Sequence, residues 1–312
     1  MNILLTGATG FVGQNFIKYF TAQKTNFHIF ALCRDSAYKN SGYVTWLYNE
    51  MDFNKVLSEN DIYAVIHLAG KAHDTKNTSK SEVYFEINYS ITKKLFDAFA
   101  NSHASKFIFL SSIKAVGDDQ TYITNSLDLS EPQTPYAKSK REAEKYIQNF
   151  DLSSSKSFYI LRPTLIYGPA VKGNLATLVK FANKGLPYPF ESFENKRSYL
   201  SVNNLSYILI KLIENEYESM TLNIANEDAI STKELIAIIY KALGKKPSSL
   251  SFPQAIIKSI ATLGNIFPLP INSEKLNKIT SSFVVDTAEM IKKLGFSLPE
   301  TTRGTISSIT KK

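Results

Sequence analysis

A single cysteine, Cys33, is all the thiol chemistry in this chain of 312 residues. One thiol cannot close an intramolecular disulfide or build a cysteine-rich metal site, and such sparing use fits a reducing compartment. Histidine is nearly as scarce, with four in the chain. No His, Cys and acidic residues cluster at metal-ligand spacing, so no metal site is expected. Long hydrophobic runs are missing as well. The most lipid-like stretch, residues 255–269, is interrupted by Lys258 and Asn265 and ended by Pro268. It falls short of the ~20 apolar residues a spanning helix needs, so it predicts a buried or amphipathic helix and no stable membrane insertion. Residues 1–7 lack a basic leader and a long apolar core, and read as a strand entering a glycine turn rather than a signal sequence. The expected location is therefore cytoplasmic. No internal repeat and no five-residue run of like charge is visible. The 36 basic and 28 acidic residues leave a net charge of +8 that is spread along the chain. A dispersed excess suits small phosphate-bearing ligands better than a nucleic-acid surface, and no nucleic-acid partner is expected.

What is present is an ordinary globular composition, 44% apolar and 21% charged. The length suits one large domain with a smaller one attached. Short apolar runs at residues 2–6, 28–33, 44–47, 64–69, 107–111 and 158–162 alternate with amphipathic segments at 12–22, 83–101 and 136–150. That rhythm predicts an α/β fold, a doubly wound parallel sheet of the Rossmann type covered on both faces. Past Pro163 the rhythm changes, with prolines and glycines clustered at Gly168-Pro169 and at residues 185–189 and 267–270. We therefore place a dinucleotide-binding domain at residues 1–167 and a mainly substrate-binding part at 168–312. Return segments near 198–225 are expected, with strands at 199–202 and 222–225 rejoining the main sheet.

The first strand runs directly into Gly7-Ala8-Thr9-Gly10-Phe11-Val12-Gly13 and a helix. One glycine permits the tight turn, one lets backbone approach a pyrophosphate, and one allows close helix–strand packing. The helix start then offers unpaired N–H groups to the anion. About twenty residues on, where an acidic residue holds the ribose hydroxyls of NAD, stand Cys33 and Arg34. An arginine there can take the extra phosphate of NADP, so NADP is preferred over NAD, although Asp35 could fold back toward the ribose.

Tyr136 and Lys140 share one face of a helix at a spacing of four. Tyr89 with Lys93 and Tyr207 with Lys211 have the same gap, so spacing alone decides nothing. Tyr136 differs in opening its helix just after Pro135, 24 residues beyond Ser112, which ends the apolar strand of residues 107–110. Strand ends and the first turns of following helices meet in the ligand crevice of a parallel sheet. Ser112, Tyr136 and Lys140 are thus the candidate catalytic residues. Lys140, with the nicotinamide cation, would lower the pKa of the phenol, which ordinarily lies near ~10. Tyr136 would exchange a proton with a substrate hydroxyl as hydride moves at the same carbon, and Ser112 would hold that oxygen. Of the histidines, His67 reads as a satisfied core residue and His73 as a loop residue near the expected nicotinamide.

With these residues in place, the chain resembles the extended short-chain dehydrogenases/reductases, the NAD-dependent epimerase/dehydratase family. The matching residues are Gly7, Gly10 and Gly13, Asp52-Phe53, His67-Leu68-Ala69-Gly70, Asn88, Leu110-Ser111-Ser112, Tyr136 with Lys140, Arg162-Pro163, Tyr167-Gly168-Pro169, and the run from Arg197 to Leu205. The resemblance implies that Asp52 and Phe53 contact the adenine side and that Leu68, Ala69 and Gly70 line the cofactor. It further implies that Lys140 holds the nicotinamide ribose and that Pro163 begins the segment touching the carboxamide. Asn174 and Arg197 would bind the diphosphate of a nucleotide-sugar, where the planar guanidinium fork suits phosphate oxygens. Sugar 4,6-dehydratases of the family carry Thr-Asp-Glu where this chain has Ser112-Ile113-Lys114, and isoleucine cannot donate a proton. A second diphosphate arginine has no counterpart, Lys275 and Lys278 being the nearest cations. The resemblance runs nearest to a surface-polysaccharide subgroup acting at C4 of UDP-N-acetylhexosamine-type sugars. The expected activity is reduction of a UDP-4-keto-6-deoxy-N-acetylhexosamine; the alternative is a UDP-sugar 4-epimerase of the UDP-glucose or UDP-N-acetylglucosamine type. A non-catalytic redox-sensing scaffold is disfavoured, because glycines, tyrosine and lysine are all retained. A homodimer is what the family suggests.

Overall fold

Five short apolar runs form strands β1 (Asn2–Thr6), β2 (His28–Cys33), β3 (Val44–Tyr48), β4 (Ile62–His67) and β5 (Lys106–Leu110). After the two-residue β6 (Tyr122–Ile123) come β7 (Ser157–Pro163), β8 (Leu165–Tyr167), β9 (Arg197–Ser201), β10 (Met220–Ile224), β11 (Ala229–Ile230) and β12 (Val284–Val285). The computed structural model describes residues 1–34, 37–72, 80–117, 122–123, 125–127, 129–246, 250–267 and 272–311. Seven strands make one parallel sheet in the order β10-β7-β5-β4-β1-β2-β3. From β1 the chain winds outward through β2 and β3, then returns to lay β4 on the other side of β1. That reversal falls at the carboxyl ends of β1 and β4, the place where doubly wound sheets bind ligands.

Both faces of the sheet are buried, which explains runs such as Phe107-Ile108-Phe109 with no polar alternation. On one face, α1 (Phe11–Ala22) packs with α7 (Val202–Glu214) around Phe16, Phe20, Leu205 and Leu209. On the other, α2 (Phe53–Glu59), α4 (Ile91–Ala100) and α5 (Pro135–Gln148) cover a cluster that includes Phe96, Phe99, Phe107 and Ile147. A third core forms under α6 (Asn174–Asn183) and α8 (Thr232–Ala242), where Tyr167, Tyr199 and Ile239 meet Ile306 and Ile309 near the carboxyl terminus.

Two sequence expectations change. The helix expected over 83–101 is divided into α3 (Ser81–Phe85), a π-helical turn at Glu86–Ser90, and α4. The wider turn carries a buried Asn88. Residues 222–225 overlap β10, which does join the main sheet, but 199–202 overlap β9, which does not. β9 pairs with β8 and β11 in a separate three-stranded sheet, because β8 follows β7 so closely that it leads the chain off the main sheet's end. Residues 255–269 contribute α9 (Gln254–Leu263), which buries Ile257 and Ala261 and leaves Ile256, Ile260 and Leu263 exposed. No described helix is long and apolar enough to cross a membrane.

Candidate active site

At the end of β1, Gly7 adopts φ +72°, in the left-handed region that favours glycine. A Cβ on Gly7 would lie 2.6 Å from Ala69 N and from the Leu68 carbonyl carbon, so the exits of β1 and β4 touch. A Cβ on Gly13 would lie 2.3 Å from Gly7 O and 2.6 Å from Ala8 Cα, which locks α1 against the turn. Gly10 is the N-cap of α1, with no side chain capping the helix and no acid in its first turn. The opening N–H groups of an α-helix lack intrahelical acceptors, and those of Phe11, Val12 and Gly13 head this one. Thr9 and Gly10 are exposed beside them. Backbone packed this closely, ending in a bare positive helix terminus, fits a dinucleotide pyrophosphate. A second fit comes from Thr164, directly after Pro163 at the end of β7: its Oγ1 is buried without a hydrogen-bond partner.

Ser112 follows β5 and caps a 3₁₀ turn (Ile113–Ala115), its Oγ accepting the Lys114 N–H at 3.2 Å. Tyr136 lies in the first turn of α5, behind Pro135 and the N-cap Thr134, whose hydroxyl accepts the Ala137 N–H. These two turns bring the Ser112 hydroxyl close enough to the Tyr136 phenol to lower its pKa. Lys140, one turn further along, is buried and donates to the Leu110 carbonyl at 2.9 Å, with its ammonium 4.6 Å from the centre of the Phe109 ring. A Cβ on Gly70 would stand 3.1 Å from Lys140 Nζ. The contacts from Gly7 to Ala69, and from the adjoining Gly70 to Lys140, join the glycine turn to the serine–tyrosine–lysine cluster.

Burial pushes the Tyr136 phenol up, the Ser112 hydroxyl draws it back, and the charge of Glu144 pushes it up again. Burial brings Lys140 down to about 8, against the opposing pull of Glu144. A neutral phenol beside a hydroxyl and a weakly held ammonium can give up a proton to an oxygen placed between them.

The other predicted residues separate by element. Leu68 and Ala69 are half-buried and Gly70 exposed where β4 leaves the sheet. Pro163 is buried at the end of β7, and Arg34 is exposed just past β2. Asp52 caps α2 through the Lys55 N–H at 3.1 Å, and the Phe53 side chain is buried in the core, so the Phe53 ring is not free to face a ligand. Asn174 is exposed at the start of α6; Arg197 opens β9 and donates through Nη1 to Ser281 O at 3.1 Å. Lys275 is exposed on α10 (Ser273–Thr280). Asp35, His73 and the side chain of Lys278 lie outside the described residues. His67 is a satisfied core residue: its ring nitrogens meet Thr6 at 2.6 Å and Thr92 at 2.8 Å, and burial holds its pKa down at about 3. Tyr89 and Tyr207 are half-buried and pack edge-on against Tyr146 and Phe296. Among the described residues no His, Cys, Asp and Glu group could hold a metal.

Sequence reasoning gave no role to several residues that shape the site. Asn88 accepts the Lys71 N–H at 2.8 Å and donates to Lys71 O and to Ser139 Oγ at 3.1 and 3.0 Å, tying the β4 exit to α5. Tyr84 lies edge-on to Tyr136 and carries the Lys71 ammonium 5.7 Å from its ring centre. Glu144 is the third member of a stripe at i, i+4 and i+8 with Tyr136 and Lys140. That spacing is the signal that could have found it.

The profile of the NAD dependent epimerase/dehydratase family matches residues 3–225, from β1 to the exit of β10. The chain belongs to this family. It is an enzyme of the short-chain dehydrogenase/reductase type. Over 309 residues it is 32% identical to a UDP-glucose 4-epimerase of Vibrio cholerae, covering 96% of this chain and 92% of the relative. It is 26% identical over 265 residues to a dTDP-4-dehydro-6-deoxyglucose reductase of Escherichia coli, covering 78% and 82% of the two chains. The fold is shared with the UDP-glucuronic acid 4-epimerase of Bacillus cereus solved in complex with NAD, at a TM-score of 0.75 and 18% identity, covering 99% of this chain and 97% of that one. The family thus spans epimerases, dehydratases and reductases of nucleotide-sugars.

Proposed function

We propose that this enzyme reduces C4 of a UDP-4-keto-6-deoxy-N-acetylhexosamine, in the synthesis of a surface polysaccharide. The observation that carries a redox reading is the Ser112–Tyr136 hydroxyl pair, with buried Lys140 one turn away and the glycine turn in contact through Gly70. A bound nicotinamide supplies the hydride. Tyr136 passes its phenolic proton to the C4 oxygen as the carbonyl becomes an alcohol, and Ser112 hydrogen-bonds the same oxygen. Lys140 holds the ribose and the charge balance around the phenol. The backbone N–H groups of residues 9–13 take the pyrophosphate, with Leu68, Ala69, Gly70 and Pro163 lining the cofactor and Asp52 and Phe53 on its adenine side. Asn174 and Arg197, from the part beyond residue 167, take the diphosphate of the sugar. Exposed Arg34 at the end of β2 supports NADP over NAD, as its charge suits a ribose phosphate. It also supports a cofactor that exchanges at each turnover, as reduction requires.

The second reading is a UDP-sugar 4-epimerase, which the Vibrio cholerae relative favours by its identity over nearly the full chain. An epimerase keeps its cofactor and shows no net redox change. The deciding experiment incubates the purified enzyme with UDP-4-keto-6-deoxy-N-acetylglucosamine and NADPH or NADH and follows the absorbance at the reduced-nicotinamide band. Stoichiometric oxidation is expected. No oxidation, with interconversion of UDP-N-acetylglucosamine and its galacto epimer, would overturn reduction in favour of epimerisation.

A further inference from the structure

Tyr136, Lys140 and Glu144 succeed one another at four-residue intervals on α5, so their side chains stack along one helix face. Glu144 has no exposed surface. A buried carboxylate on its own would take up a proton, but here Arg162, 2% exposed at the end of β7, closes on it. Arg162 Nε donates to Oε1 at 2.9 Å and to Oε2 at 3.1 Å, while Nη2 donates to Oε2 at 2.6 Å. The Ser111 hydroxyl donates to Oε1. Arg162 spends its remaining arm, Nη1, on the Ser126 carbonyl at 2.8 Å. Three pieces of the site therefore meet at one carboxylate: the residue before Ser112, the helix carrying Tyr136 and Lys140, and the residue before Pro163.

A buried ion pair contributes little net stability compared with apolar residues of the same volume, so a role beyond holding the fold is the more informative reading. Resting on the catalytic reading of Ser112, Tyr136 and Lys140, we propose that Glu144 is a positioning residue: it fixes those three groups relative to one another and supplies the negative charge that faces them from the next helical turn. The groups that face it are Lys140, Tyr136 and Arg141 from α5, Ser111 from the end of β5 and Arg162 from β7; on another side the Lys140 charge acts on neutral His67 of β4. The carboxylate acts in one direction on both members of the pair. It favours the Lys140 ammonium against burial, and it disfavours the Tyr136 phenolate.

The test is the pH profile of kcat/KM for Glu144→Gln, which keeps the side chain's volume and an oxygen for Arg162. Removing the charge moves the alkaline limb to lower pH by on the order of one unit. At a fixed pH on that limb, activity relative to wild type falls about tenfold, while near pH 6 it changes much less. A profile superimposable on wild type, scaled down or accompanied only by a lower Tm, overturns the proposal and leaves Glu144 a structural residue. Glu144→Gln leaves Arg162 without its anion, so Glu144→Gln/Arg162→Gln is measured alongside it. That double variant removes both charges, and the same shift is expected; an unshifted profile again overturns the proposal. Tyr136→Phe run in parallel separates the two ideas. A fully active Tyr136→Phe defeats the catalytic reading itself, whereas an inactive one beside an unshifted Glu144→Gln defeats the Glu144 proposal alone.

Discussion

Lys140 is the titrating residue with the clearest consequence. Burial between α5 and the sheet holds its pKa at about 8, well below the ordinary lysine value. A group lowered in this way is charged below that pH and neutral above it. If the ammonium is needed, kcat/KM should be level near pH 7 and fall as pH rises through about 8, the range set by burial. A profile that stays flat to pH 10 would show that Lys140 need not be charged. His67 is likewise fully buried, and it is hydrogen-bonded on both nitrogens. Its folded pKa of about 3 lies below the ordinary 6.5, so the unfolded chain binds the extra proton between those values. Its contribution to stability is therefore complete above pH 6.5 and lost as pH falls toward 3. Denaturant melts of wild type and His67→Asn between pH 4 and 7 check this. The wild type should lose more stability on acidification, and parallel losses would contradict it.

Among the elements, the glycine turn is where geometry leaves least freedom. A methyl group at residue 13 meets backbone on two sides, at 2.3 and 2.6 Å, and backbone cannot rotate away as a side chain can. Gly13→Ala should therefore separate α1 from β1, cost about 1–3 kcal/mol of stability and weaken cofactor binding more than tenfold in a fluorescence titration. At Gly10 the nearest contact would be 3.2 Å, from Gly7 O, so Gly10→Ala should be the milder change. The turn was legible in the sequence because glycine placement follows directly from backbone sterics. The serine–tyrosine–lysine cluster was legible for a related reason: strand ends and helix starts converge in a parallel sheet. Asn88 was given no role because its contacts depend on a π turn, and helical periodicity over 83–101 contains nothing to announce one. The Phe53 ring packs in the core, a placement that its position in the sequence does not announce.

Over the whole molecule, the two cores on either face of the main sheet stand apart from the third core beneath α6 and α8. The last residues of the chain belong to that third core. Glu300 accepts from Asn203 Nδ2 at 2.8 Å, and Thr302 N–H donates to Asp228 at 2.5 Å, holding the terminus to α7 and to the turn before β11. Ile306 is wholly buried there. Ile306→Ala should cost about 2–5 kcal/mol and raise KM for the nucleotide-sugar more than the dissociation constant of the cofactor, since the glycine turn lies in the other layers. Equal losses in both would contradict that separation. The change of rhythm after Pro163 falls where β8 leads the chain off the main sheet. The route of β9 was not legible in the sequence, because a five-residue apolar strand does not reveal which sheet it joins.

The most direct measurement on the account as a whole is single-turnover hydride transfer by Tyr136→Phe, with cofactor binding measured on the same preparation. Removing one hydroxyl leaves the ring edge-on to Tyr84 and the glycine turn untouched. The account predicts cofactor affinity within about threefold of wild type and transfer slowed by about 10²–10⁴-fold, the range for loss of a positioned acid. Transfer at the wild-type rate would contradict it.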